Sequence, residues 1–422
     1  MKTIKKIILL FAVILLFLSG IACNTDMIGE TAEEEKESDT VNIEKEIEFF
    51  DNTLSPMSER IGIANWGAMY MPDLDDNETS LIRGAKYVRD TGSKVIKIAC
   101  GDPDKQYPLD NFSDLFMSGC VDALKYSSYK RLFEMDFSVF FISITEVARV
   151  KFADGITDAE AEIVKNEFYE ATKYLLETYR GTGKTFILQN WETDNYLNYS
   201  VSGDNAQFVY RNYAKYFNAR QDGINKARSE FVMSKEKNVY VFGALEINKL
   251  SDSYTGIRAV DYVVPYTYAD LYTYSSYEFK DKGVITSASD VAEKLETALE
   301  YYNSKLPNKN VYPQKMYFGD NRLAITEFGY PDKADNYSGE WQKTVAEGHI
   351  LAVKNLKLQY AVYWQTCCNE LVSENASAIK KLSSTDLRAY RFINADFNGF
   401  YIIRPDGEKT LTYRYFKELF SQ

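Results

Sequence analysis

Arg322-Leu-Ala-Ile-Thr-Glu327-Phe-Gly-Tyr-Pro331 is the stretch that decides how this chain is read. A short apolar run ends in one carboxylate, and Gly329-Tyr-Pro331 then turns the chain away. A parallel strand buried on both faces has this form when its last residue projects into a cleft. Alone, it would read more readily as a Glu opening a solvated loop. A second stretch of the same form, Thr185-Phe-Ile-Leu-Gln-Asn-Trp-Glu192, lies upstream. Two such strand ends in one chain favour a shared cleft.

Working outward, the same alternation of short apolar run and helical pattern recurs. Strands are predicted at Arg60–Ala64, Val95–Cys100, Phe137–Ile144, Val239–Leu245, Tyr262–Tyr266 and Tyr360–Trp364. Helical periodicity separates them, with Gly92 ending one helix and Thr157-Asp-Ala-Glu160 opening another as a capping box. Eight strand–helix alternations with nearly all-apolar strands predict a single closed (β/α)8 barrel, the TIM barrel, over residues 58–422. A doubly wound open sheet fits less well, because no Gly-rich phosphate loop follows any strand.

The 422 residues carry a formal net charge of −12. With no basic face visible, a nucleic-acid partner is not expected. The one histidine, His349, lies in a helical pattern and reads as a surface or core residue. A single histidine argues against histidine-cluster metal sites and Ser-His-Asp hydrolysis, so no metal and no cofactor is expected. The adjacent Cys367 and Cys368 lack zinc-like spacing, and spacing does not say whether they or Cys100 and Cys120 form disulfides.

At the N-terminus, Lys2, Lys5 and Lys6 precede the apolar run Ile7–Leu18 and Ser19-Gly-Ile-Ala-Cys23. This order describes an export signal over residues 1–22 rather than a spanning helix. Ala22-Cys23 resembles the lipobox of bacterial lipoproteins, with Gly20 standing where Leu is usual. The resemblance implies lipidation at Cys23. Residues 23–57 are acidic and poor in apolar groups, with Glu33-Glu-Glu-Lys-Glu37 at their centre, and read as a flexible tether. An acidic stretch there also resembles the surface-export signal of Bacteroidota lipoproteins. The expectation is an exported protein touching a bacterial membrane, outer membrane or cell surface, only through its lipid.

In barrels of this kind, chemistry sits on the loops after the strands. The residues collected there are Trp66, Asp102, Glu146, Trp191, Glu192, Glu246, Tyr266, Tyr268, Glu327, Trp364 and Glu370. Three of the four tryptophans are among them. Tryptophan faces suit the C–H surfaces of sugar rings, and carboxylates suit both hydroxyl recognition and glycosidic cleavage. A carbohydrate partner follows. Asn190, Trp191, Glu246, Tyr266, Tyr268, Trp66 and Trp364 are its expected contacts.

A barrel with a Glu ending strand four and a Glu ending strand seven resembles the clan A glycoside hydrolases. The resemblance spans roughly residues 58–422, and it implies a retaining hydrolase with Glu192 as acid/base and Glu327 as nucleophile. It also implies an aromatic residue after strand eight, matched by Trp364, and a Tyr after strand six contacting the nucleophile, which Tyr266 or Tyr268 could supply. In the clan, Asn directly precedes the acid/base. Here Trp191 separates Asn190 from Glu192, which leaves open the role of Asn190 at a sugar 2-hydroxyl and keeps Asp194 as an alternative donor. The Asn190-Trp-Glu192 strand end and the closing Gly399-Phe-Tyr-Ile-Ile-Arg-Pro-Asp-Gly407 segment resemble a subset of the clan.

Retaining chemistry needs one carboxyl protonated near neutral pH and the other ionised. Trp191 is placed to raise the pKa of Glu192 by desolvation. The alternative function is a non-catalytic glycan-binding lipoprotein on the same barrel. A barrel enzyme using metal or phosphate chemistry is a third reading, disfavoured by the missing ligand and loop signatures.

Overall fold

A computed structural model of the chain describes residues 50–422, apart from 67–69, 71–77, 108, 152–153, 199–204, 252–253, 255, 281–284, 309–316, 333–338 and 369. The signal segment, Cys23 and most of the tether lie outside the described residues, as do the centres of the loops 70–78 and 196–205.

Eight parallel strands close into a barrel in sequence order. They are β1 (Ile61–Asn65), β2 (Val95–Ala99), β3 (Val139–Ser143), β4 (Lys184–Gln189), β5 (Val239–Ile247), β6 (Leu271–Ser276), β7 (Leu323–Phe328) and β8 (Ala361–Tyr363). Closure comes from β8 pairing with β1, Ile61 to Ala361 and Ile63 to Tyr363. Helices alternate with the strands, and the strand residues are buried almost throughout. That burial is why the strands read as continuous apolar runs.

The covering helices are α1 (Ser80–Thr91), α2 (Ser127–Glu134), α3 (Asp158–Thr178), α4 (Ala206–Phe231), α5 (Ala259–Tyr262), α6 (Ala288–Lys305), α7 (Gly339–Asn355) and α8 (Leu411–Leu419). Local chemistry sets several ends. Thr157 and Glu160 form the reciprocal capping box that opens α3, satisfying two otherwise orphaned N–H groups. Gly92 closes α1 with a φ of 100°, a left-handed conformation only glycine adopts without penalty. Before residue 58, Phe50 already packs edge-on against Tyr240, Phe242 and Phe318 beside the N-terminal ends of the strands.

Strand six lies elsewhere than its sequence suggested. Residues 262–266, which include Pro265, form the end of α5 and a 3-10 turn on the outer wall. The strand is Leu271-Tyr-Thr-Tyr-Ser-Ser276, all buried. Proline cannot donate to a ladder, whereas Tyr, Thr and Ser fill a strand whose inner face is polar. A buried pair, Arg228 to Asp270 at 2.8 Å, fixes the chain just before β6, and Asp270 also accepts from Gly243 N–H of β5 at 2.8 Å.

Strand β7 carries an irregularity that matters for the site. Tyr274 pairs with Ile325, but Ser275 pairs with Glu327, so Thr326 is an extra residue. Successive residues of a regular strand face opposite sides, and a bulge re-aims them. Thr326 and Glu327 accordingly both reach the barrel interior, the first to Glu246 and the second to Lys97.

Candidate active site

The upper barrel interior is polar. Lys97 of β2 is fully buried and donates to Glu327 Oε1 at 2.7 Å, to Glu246 Oε1 at 3.0 Å and to the Thr326 carbonyl at 3.1 Å. Burial pushes its pKa down, but the Glu246 and Glu327 carboxylates outweigh burial and raise it, so it is an ammonium. Glu246 Oε1 also accepts from Gln189 Nε2 at 2.7 Å and Thr326 Oγ1 at 2.6 Å, and its Oε2 accepts from the Glu192 N–H at 3.0 Å.

Glu246 thus differs from its sequence expectation. Fully buried, and with both oxygens occupied, it has no face for a sugar hydroxyl. It anchors Lys97 and the turn that carries Glu192, which adopts a φ of 20°, rare for a residue with a Cβ.

Glu192 and Glu327 come together over Ser275. The Ser275 hydroxyl lies 2.6 Å from Glu192 Oε1 and 3.4 Å from Glu327 Oε2, so those two oxygens are separated by no more than the sum, about 6 Å. Asn195 Nδ2 donates to Glu192 Oε2 at 2.5 Å. Burial pushes the Glu192 carboxyl up, and the charge of Glu246 adds to it. Burial also pushes Glu327 up, opposed by the Lys97 ammonium and reinforced by Glu246 and Glu192. Among the described residues, one ammonium therefore serves three buried carboxyls, and its direct contacts are with Glu327 and Glu246, not Glu192.

Asp194, the alternative donor, is turned away. Its Oδ1 accepts from Ala259 N–H at 2.7 Å and its Oδ2 from Asn248 N–H at 3.1 Å, and burial pushes its pKa up to about 6. It ties the β5–β6 connection to the end of β4. Asn190 is likewise spent internally: its Nδ2 donates to Thr193 Oγ1 and the Glu246 carbonyl at 2.9 and 3.1 Å, and its Oδ1 accepts from the Glu246 N–H at 2.8 Å. That amide clamps β4 to β5, which is why it does not turn towards a ligand.

Of the expected aromatic contacts, Trp66, Trp191 and Trp364 lie at strand ends. Trp66 and Trp364 rings are 5.6 Å apart, and Trp364 Nε1 donates to Glu370 Oε1 at 3.0 Å. Trp191 is 37% exposed. Tyr266 and Tyr268 are not brought to the site. Both precede β6 on the outer wall, Tyr266 under the Arg211 guanidinium and Tyr268 donating to Asp222 at 2.7 Å.

The tyrosine that follows strand six in space is Tyr277. Among the described residues its buried hydroxyl has no hydrogen-bond partner, and burial raises its pKa, with the charges of Glu327, Glu370 and Glu192 adding. Lys97, Ser275 and Tyr277 are the site residues that sequence reasoning missed. A lysine at the third position of an otherwise apolar five-residue strand was the available signal for the first. The other two were hidden by the misplaced strand six.

Among the described residues, no cluster of three or more His, Cys, Asp or Glu is arranged to hold a metal ion. Cys100, Cys120, Cys367 and Cys368 are buried, and among the described residues no disulfide joins them; His349 is a core residue stacked on Phe328 at 4.6 Å.

No protein-family model matches the sequence, and no curated protein matches it. Solved structures do match in fold. GH5_18 of Streptomyces cattleya, in complex with Manb1-4GlcNAc, superimposes with a TM-score of 0.51 at 12% identity, over 87% of this chain and 80% of that one. The beta-glucuronidase of Bifidobacterium dentium matches at 0.47 and 9% identity, over 86% of this chain and 46% of the other. That of Bacteroides uniformis matches at 0.48 and 11%, over 84% and 34%. The chain spans less than half the length of these two glucuronidases. The fold is that of the TIM barrel.

Proposed function

We propose that the protein is a retaining glycoside hydrolase acting on an oligo- or polysaccharide, with Glu327 as nucleophile and Glu192 as acid/base. The observation that carries this reading is the pair of carboxyls meeting at Ser275 Oγ, with oxygens within about 6 Å. Retention uses carboxyls about 5–5.5 Å apart, whereas inversion leaves roughly 6.5–9.5 Å for a water.

The proton belongs on Glu192. The pair titrates as a unit, and the Lys97 ammonium at 2.7 Å favours leaving the negative charge on Glu327. In the first step a Glu327 oxygen attacks the anomeric carbon while Glu192 gives its proton to the leaving oxygen. In the second, Glu192 takes a proton from water, whose oxygen attacks the same carbon and releases Glu327. Tyr277 replaces Tyr266 and Tyr268 as the candidate hydroxyl beside the nucleophile.

The test is paired substitution with anomer analysis. Glu327→Gln should lose activity on every substrate, by about 10⁴-fold or more. Glu192→Gln should keep turnover of activated aryl glycosides and respond to added azide. Proton NMR of early wild-type product should show the substrate's anomeric configuration. An inverted product, or full-rate Glu327→Gln, removes the assignment.

We also propose that the protein is exported and lipid-anchored through Cys23. The support is the basic, apolar, Ala22-Cys23 order of the N-terminus. Radiolabelled fatty acid should attach to the unmutated protein and not to Cys23→Ser. Label on both, or on neither, rejects the anchor.

A further inference from the structure

We propose that the cavity at the ends of β2, β3 and β4 binds a uronic-acid residue of a glycan, with Arg220 receiving its carboxylate. The proposal rests on the glycan reading of the site and adds the charge of the sugar. The cavity measures about 170 Å³ and is lined by Trp66, Trp191, Tyr196, Tyr213, Tyr216 and Arg220, with Ser143 at its wall. It meets the chain at Asn190 and Trp191, immediately before Glu192, so a sugar held there neighbours the carboxyl pair. Its volume is below the roughly 300–1,000 Å³ of drug-sized pockets, which suits one ring.

Arg220 is the unusual member. It sits on α4 at 2% exposure, its guanidinium 4.2 Å from the Phe168 ring centroid. Among the described residues it meets one carbonyl, Ile144 at 3.1 Å, and one hydroxyl, Tyr216 at 3.5 Å. Among the described residues no carboxylate is in ion-pair contact with it. Glu146 is the nearby carboxylate but is one hydroxyl away: Tyr216 donates to Glu146 Oε2 at 2.5 Å, while Glu146 Oε1 accepts from Val150 N–H. A guanidinium has five N–H donors, more than these acceptors occupy.

A buried charge without a direct partner is costly, and an ionised acceptor entering the cavity offsets that cost. A sugar carboxylate is planar and matches the guanidinium fork. The ring's C–H faces suit the surrounding aromatics, and the buried Ser143 hydroxyl at the cavity wall has no hydrogen-bond partner among the described residues. The net charge of −12 opposes an anion at long range, but salt screens that field beyond about 8 Å. The local cation decides.

The test is calorimetric binding to the Glu327→Gln protein of disaccharides ending in glucuronate or galacturonate, of their neutral counterparts, and of 6-sulfated counterparts. A uronate should bind at least about tenfold more tightly than its neutral partner. Arg220→Met should bring the two to parity, and Arg220→Lys should retain part of the preference. Equal binding of uronate and neutral sugar overturns the proposal, as does a preference surviving Arg220→Met or tighter binding of the sulfated sugar. If Arg220→Met fails to fold, the comparison on the Arg220 protein still decides. Because no turnover is read, a chain that binds uronates and cleaves nothing would keep this inference and remove the hydrolase.

Discussion

Lys97 occupies a position where an alternating strand would place an aliphatic side chain. It is fully buried, and its ammonium is held by Glu327 and Glu246. Removing it leaves two buried carboxyls facing each other, and breaking a buried pair in this way costs about 3–5 kcal/mol unless one takes up a proton. Lys97→Met should therefore lower kcat by about 100-fold or more. The sign of the pH effect follows from the same contact. Lys97 opposes the upward push on Glu327, so its loss moves the acid limb of kcat/KM to higher pH. Lys97→Arg should restore part of both. A structural role alone would lower stability without moving the limb, and a pH–rate profile separates the two.

At the scale of elements, the site depends on how β7 leaves the barrel. Trp364 N–H donates to the Phe328 carbonyl at 2.7 Å, drawing the ends of β7 and β8 together. Gly329 makes that approach possible: a Cβ there would run into the Trp364 carbonyl, which is backbone and cannot rotate away. Gly329→Ala should cost about 1–3 kcal/mol in a denaturant titration. It should also lower activity, because Glu327 and Trp364 are carried on the displaced strands. An unchanged midpoint with full activity would show that the close approach is dispensable.

At the scale of the whole molecule, His349 ties α7 to the barrel. Its Nδ1 hydrogen-bonds the Val345 carbonyl at 2.8 Å, its Nε2 lies 3.0 Å from Ser276 Oγ, and burial lowers its pKa from 6.5 to about 4. Above pH 6.5 the ring is neutral whether the chain is folded or not, and its contribution is fully present. As pH falls towards 4 the unfolded chain binds the proton first, so that contribution is lost, by up to about 3 kcal/mol. His349→Gln keeps a hydrogen-bonding group but does not titrate. From pH 7.5 to 4.5 the wild type should therefore lose about 2–3 kcal/mol more stability than the variant. Equal losses would mean that the imidazole is not kept neutral by the fold.

The barrel was legible in the chain itself because a strand buried on both faces must be apolar, and eight such runs separated by helical patterns leave few other packings. Glu192 and Glu327 were legible for a related reason: a carboxylate ending an apolar run stands out. Strand six was not, since its inner face is polar and Pro265 interrupts a more apolar decoy nearby. The partners of the two carboxyls were hidden as well. Lys97, Ser275 and Glu327 are separated by 178 and 52 positions in the sequence, and only closure of the barrel, with the extra residue Thr326 in β7, aims them at one point. The inward spending of Glu246, Asp194 and Asn190 belongs to that same tertiary level. Sequence names the groups that can ionise or hydrogen-bond, but which of them remain open to a ligand depends on what else the fold has already given them to hold.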